Sequence, residues 1–315
     1  MTPFRRLALA STAATFLLVA VGGLVRATKS GLGCGNDWPH CSGRLLPALE
    51  NRAVMIEFSH RLMASVVVVL LATLAVTAWR RHRDLPVLVR GATIAFGLVL
   101  LQAVLGAVVV WLELAATSVV LHLATAMALV AVLIHLSITA WSLDRPEPLE
   151  TDARVARRAR LAAVGVLGVI LIGSYVTGRD AGYVFSDWPL MDGRLIPDLS
   201  YEPAALHFLH RALAAIVGVV VALVVIGVIR APAKDRLAAR FAHAALGLFA
   251  IQILIGAANV WTYPGRLNEL FVTLHLLSAA LIWGSLVGLA VVSSPSTVAR
   301  RAGAEMTQRP AYEAG

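Results

Sequence analysis

Residues 204–229 read AALHFLHRALAAIVGVVVALVVIGVI, and residues 54–79 read VMIEFSHRLMASVVVVLLATLAVTAW. Each run exceeds the roughly 20 apolar residues that an α-helix needs to cross a hydrocarbon core. Each also carries one His-Arg pair, His210-Arg211 and His60-Arg61, near its start. The two pairs are 150 residues apart, so one reading must explain both the membrane span and its duplication.

The duplication extends outward from these segments. Asp37-Trp38-Pro39 recurs as Asp187-Trp188-Pro189, and Gly43-Arg44-Leu45 as Gly193-Arg194-Leu195. Gln102, Gly106 and Trp111 recur as Gln252, Gly256 and Trp261, all at the same offset of 150. His122 and His275 match after a three-residue insertion, at an offset of 153. A constant offset over this length is more specific than any single motif.

Composition agrees with lipid as the solvent. The chain is 59% hydrophobic and 14% charged, against about 45–50% and about 25% in soluble domains. The net charge of +9 is split into short basic clusters between apolar runs. That is the pattern of cytoplasmic loops and not of a nucleic-acid surface. Apolar runs fall at about 7–25, 54–79, 91–111, 118–141, 161–178, 204–229, 241–261 and 271–292. The first follows Arg5 and Arg6 and is read as a retained helix, not a cleaved signal.

The expected fold is an all-α integral membrane protein of eight transmembrane helices, arranged as two parallel-repeat four-helix bundles. Residues 1–142 form the first bundle, 143–160 a cytoplasmic linker, 161–293 the second bundle and 294–315 a cytoplasmic tail. Of 27 Lys and Arg residues, eighteen lie on the side of the termini and seven on the other. The positive-inside rule then places both termini in the cytoplasm. The expected location is the plasma (inner) membrane.

Of nine histidines, His60, His122, His210 and His275 obey the repeat. Each lies a few residues inside the outer end of an even-numbered helix, at a depth on the order of 10 Å. An ionisable side chain inside a span is costly and is a functional candidate by default. An interhelical hydrogen bond could account for one. Two matched pairs suit axial ligation of haem iron from facing helices, whereas zinc usually takes three or four ligands. His40, His82, His135 and His243 read as solvated or packed. His207 is intermediate, three residues before His210 and on the same helix face.

Glu57 and His60 stand at i and i+3, so the carboxylate projects beside the expected ligand, and its repeat mate is His207. It could relay protons or stabilise positive charge, or merely neutralise a nearby arginine. Arg61 and Arg211 are candidates for pairing with haem propionates, with snorkelling as the competing account. Cys34 and Cys41 are the only cysteines, in the first outer loop. On an oxidising face a disulfide between them can persist, serving either structure or redox exchange.

With Glu57-x-x-His60-Arg61, His122, the degenerate repeat and the outer cysteine pair, the chain resembles the haem A synthase family from about residue 5 to 293. The likeness is to the bacterial form with a cysteine pair in the first outer loop. The resemblance implies oxidation of the C8 methyl of haem O to a formyl group, giving haem A for terminal oxidases. It implies that His60 and His122 hold substrate haem O, that His210 and His275 bind a resident haem b (iron), and that Glu57 is the catalytic carboxylate. Cys34 and Cys41 look like the family's disulfide pair. His207 offers a competing ligand in the second half. Expected partners are haem O, membrane lipid, a haem O synthase, oxidase assembly factors and a quinone or other electron acceptor. The rival reading is a di-haem b cytochrome carrying electrons from a quinol, which leaves Glu57 idle. A transporter would need polar, broken helices near the midplane, and the polar residues cluster instead at the outer ends.

Overall fold

Capping residues start several of the helices. Asn51 accepts the Ala53 N–H at 2.8 Å and opens α2, and Asp152 accepts the Arg154 and Val155 N–H groups at 2.8 and 3.2 Å and opens α5. Such side chains satisfy amides that the first turn leaves without partners. Pro86 and Pro203 sit in the first turns of α3 and α6, where a missing N–H costs nothing.

The computed structural model describes residues 3–48, 51–145, 149–230 and 236–294. It is all-helical: α1 (Pro3–Ala27), α2 (Arg52–Arg81), α3 (Pro86–Trp111), α4 (Ala116–Ser142), α5 (Ala153–Gly178), α6 (Glu202–Ile229), α7 (Arg236–Trp261) and α8 (Arg266–Val292). All eight are long and apolar enough to cross a membrane. Their outward faces are apolar, with Val69, Val219, Leu223 and Leu254 more than half exposed. Such faces are compatible with lipid contact.

One boundary differs from expectation. Residues 153–160, assigned above to the linker, are the first turns of α5. Their charge suggested a loop, but Ala and Arg are strong helix formers and Asp152 caps them. The described part of the link is 143–145 and 149–152, and all but residue 294 of the expected tail lies outside the described residues.

Helix α1 packs on α2, α2 on α3, α3 on α4, and α4 returns to α1. Helices α5, α6, α7 and α8 make the same closed circuit. The circuits meet where α1 touches α8 and where α4 touches α5 and α8. Small residues permit this closeness, with Ala92 and Ala95 of α3 and their repeat mates Ala242 and Ala245 of α7 fully buried. Without a hydrophobic drive between helices in lipid, such close backbone approach supplies much of the packing energy.

The α1–α2 and α5–α6 loops are copies. Cys41 pairs with Arg44, and Met191 with Arg194, across tight turns. Both central residues have positive φ: Ser42 at 51° and Gly43 at 75°, Asp192 at 52° and Gly193 at 72°. A turn that is left-handed at both central positions explains why glycine recurs there. Asp37 accepts the Gly43 N–H at 2.8 Å and Asp187 accepts that of Gly193 at 2.9 Å. The Gly193 and Asp192 N–H groups hold the Asp187 carboxyl below its ordinary pKa.

Candidate functional site

Around each circuit, helices bearing a repeated histidine alternate with helices bearing a glycine that faces it. A Cβ built on Gly22 of α1 would lie 3.2 Å from Cε1 of His60 on α2, and one on Gly106 of α3 would lie 3.6 Å from Cε1 of His122 on α4. In the second circuit a Cβ on Gly173 of α5 would lie 2.8 Å from Cε1 of His210 on α6. One on Gly256 of α7 would lie 3.2 Å from Cε1 of His275 on α8. Each glycine is a recess in a helix surface that an imidazole fills.

The Nδ1 atoms of all four rings are buried; those of His60, His122 and His275 have no hydrogen-bond partner, and the His210 ring lies within hydrogen-bonding reach of the Val169 backbone. His60 and His122 lie within electrostatic reach of each other, as do His210 and His275. Gln102 donates to the His122 carbonyl at 2.9 Å, and Gln252 to the His275 carbonyl at 3.1 Å. The repeated glutamines therefore fix the register of each glycine helix against its histidine helix. Two convergent imidazoles per circuit, each in a built recess, fit the axial ligation of a haem iron.

The first half adds a chain of polar contacts above its histidines. Glu57 is 4% exposed. One carboxylate oxygen accepts the Cys34 N–H at 2.8 Å and the other accepts Arg61 Nη2 at 2.5 Å. Arg61 Nη1 then donates to the carbonyls of Asp37 and His40 at 2.9 and 2.7 Å. Cys34 and Cys41 are joined in a disulfide with 4.5 Å between their Cα atoms. The carboxylate and the disulfide, both confined to this half, are thus physically connected.

In the second half His207 stands where Glu57 does. Its Nε2 accepts from Arg211 Nε at 3.0 Å and its ring lies 5.4 Å from that of Phe185. Arg211 Nη1 reaches the Asp187 and Leu190 carbonyls at 3.2 and 3.0 Å. His207 therefore keeps Glu57's contact with the arginine but not its hydrogen bond to the loop, since its Nδ1 is buried without a partner. An Nε2 committed to an arginine N–H is poorly placed to bind iron. Arg211 Nη2 is buried without a partner, whereas the Nη2 of Arg61 is taken by Glu57. Of the two propionate-pairing candidates, only Arg211 keeps this buried donor.

Sequence reasoning missed the roles of the glycines. Gly106 and Gly256 stood out as repeats, but Gly22 and Gly173 are 151 residues apart and fall out of register. Also missed was a cluster where the α5–α6 and α7–α8 loops meet in the second circuit. Tyr183 stacks on Tyr263 at 3.8 Å and its hydroxyl donates to Asn268 Oδ1 at 2.9 Å. Asn268 Nδ2 donates to the Asn259 carbonyl at 2.8 Å.

A family model described as cytochrome oxidase assembly protein (COX15-CtaA) matches residues 5–287. The chain belongs to that family. Among its relatives, the heme A synthase of Symbiobacterium thermophilum is 32% identical over 307 residues, covering 94% of this chain and 97% of that protein. The heme A synthase of an Exiguobacterium species is 30% identical over 303 residues, covering 94% of each chain. That of Shouchella clausii is 28% identical over 284 residues, covering 88% of this chain and 92% of the relative. Membership spans both circuits, so the family's pattern bears on all four histidines.

Proposed function

We propose that the chain is a haem A synthase, oxidising the C8 methyl of haem O to the formyl of haem A through two successive two-electron steps. Water supplies the formyl oxygen, and an external acceptor of the quinone class takes up the four electrons and four protons released. The observation that carries this reading is the four-fold pairing of histidine with glycine, made unequal by Glu57 in one half and His207 in the other. Symmetric ligand recesses account for two haems, and the asymmetry gives those haems different tasks.

In this reading the two circuits are parallel repeats. His60 and His122 hold substrate haem O, and His210 and His275 hold a resident haem b. The resident haem supplies a one-electron redox centre when bound. The protein's own part is positioning. Gly22 and Gly106 seat the substrate-side imidazoles, while Gln102 fixes their helices. Glu57, one turn from His60, is the catalytic carboxylate, placed to receive protons that leave the reacting carbon. Arg61 pairs directly with that carboxylate. Arg211, with its unpartnered Nη2, pairs with a propionate of the resident haem. Both termini are cytoplasmic in the plasma membrane and the haem sites lie towards the outer face. Haem O, with its long isoprenoid tail, reaches the first circuit from lipid.

The test is extraction of the haems from detergent-purified protein after co-expression with a haem O source, with identification by mass. Haem B together with haem O, its hydroxylated form or haem A is the expected result. Haem B alone, at two per chain, would overturn the reading in favour of a di-haem electron carrier.

A further inference from the structure

The three-residue insertion that shifts the offset from 150 to 153 appears in the structure as helix. Helix α4 begins at Ala116, whose repeat mate is Glu269, but α8 begins at Arg266. The added residues extend α8 outward by most of a turn, about 4.5 Å. That turn carries Asn268, which is 7% exposed.

Asn268 is seven residues from His275, two turns outward on the same face of α8. Asn259 is three residues outward of Gly256, the glycine that faces His275. The Asn268-to-Asn259 hydrogen bond therefore joins α7 to α8 directly above the ligand recess. The Tyr183 hydroxyl bonds to the same Asn268, and its ring stacks on Tyr263 of the α7–α8 loop. The α5–α6 loop is thereby tied to α7 and α8, in addition to its anchor on α6 through Arg211.

The first half has none of these groups. The repeat mates of Tyr183 and Asn259 are Gly33 and Val109, whose side chains can neither donate nor accept, and Asn268 belongs to the inserted turn and has no mate. There the outer loop is anchored to α2 by Glu57 and Arg61. Towards the α3–α4 loop, Gly31 lies against the apolar side chain of Leu114. The Trp38–Trp111 and Trp188–Trp261 edge contacts occur in both halves and do not distinguish them.

We propose that Tyr183, Asn259, Tyr263 and Asn268 form a retention clasp that keeps the second-half haem in place, and that its absence from the first half leaves that haem exchangeable. The inference rests on the assignment of resident and substrate haems above and explains how one chain can hold one haem permanently and release another. Opening the second recess requires α7 and α8 to part at their outer ends, which breaks the part-buried Asn268–Asn259 hydrogen bond, and frees Asn268 from the loop only if its part-buried bond to Tyr183 is also lost. Opening the first requires neither.

The test loads the full-length protein with haem B in both halves and adds an excess of apomyoglobin, following haem transfer by the Soret band. Two phases are expected, a fast one that His60→Ala removes and a slow one that it leaves. Tyr183→Phe, which keeps the ring stack, and Asn268→Ala should each accelerate the slow phase by up to about tenfold, the scale of one lost hydrogen bond. The fast phase should not change. A single rate in the wild type, or a slow phase indifferent to both substitutions, would overturn the clasp. Since both halves carry the same haem, this outcome is independent of whether haem O is oxidised. Failure of the enzymatic reading would appear only in the extraction experiment.

Discussion

The two halves of this molecule share a scaffold and differ in what surrounds it. In both, a glycine recess seats each histidine, a glutamine holds the helix register, and an arginine one turn inward of Glu57 or His207 grips two carbonyls of an outer loop. Above this scaffold the first half has a buried carboxylate joined to a disulfide loop, and the second has a histidine and an aromatic-amide cluster. The difference teaches that binding and reactivity are carried by separate layers. In the proposed function, the repeated layer binds, and the divergent layer decides what happens to what is bound.

The strongest way to break this comparison is to remove ligands from one half at a time. His210→Ala or His275→Ala should abolish the low-spin signal of the resident haem and with it all conversion. His60→Ala or His122→Ala should leave that signal intact while haem O no longer copurifies. An unchanged low-spin spectrum in both second-half variants would refute the ligand assignment.

Glu57→Gln is next in size. It keeps the shape of the side chain and the possibility of accepting the Cys34 N–H, but removes the charge opposite Arg61. Haem content should be preserved while conversion falls by about 10²-fold or more, the usual scale for loss of a positioned proton acceptor. Full activity would reduce Glu57 to a partner for Arg61, which is what His207 is for Arg211 in the other half.

The glycines sharpen the comparison by rank. Gly173→Ala places a Cβ 2.8 Å from a ring carbon, Gly22→Ala and Gly256→Ala at 3.2 Å, and Gly106→Ala at 3.6 Å. Overpacking of this kind costs about 1–3 kcal/mol where neighbours cannot yield. Haem occupancy should therefore fall most for Gly173→Ala, less for Gly22→Ala and Gly256→Ala, and scarcely for Gly106→Ala. Pyridine haemochrome stoichiometry reads the order directly, and equal losses at all four would remove the recess argument.

Much of this was legible in the sequence because membrane spans and exact repeats leave strong marks. The eight helices follow from apolar length alone, and the four histidines from the repeat, His60 and His210 at its offset of 150 and His122 and His275 at 153. The asymmetry of Glu57 and His207 was visible for the same reason. The recesses at Gly22 and Gly173 were not, since glycine is ordinary in apolar helices and these two miss the 150-residue register by one. The start of α5 was misplaced because a charged stretch looks like a loop until its cap is recognised. The clasp was illegible for a deeper reason. Its residues come from the α5–α6 loop, α7, the α7–α8 loop and α8, and only packing brings them together.

The smallest expected effect concerns that clasp and alkaline pH. Burial, with Tyr263 adding to it, raises the Tyr183 phenol above its ordinary value of 10.0, although the bond to Asn268 opposes the shift. A group whose folded pKa is raised contributes fully below its unfolded value and loses that contribution as pH rises through the folded one. The clasp should therefore hold through neutral pH and weaken only above about 10. Haem transfer from the second half should accelerate there, and Tyr183→Phe should remove the acceleration. The first half has glycine at this position and should show no matching step. If both halves respond alike to alkali, the response belongs to the shared scaffold and not to the residues that distinguish the two.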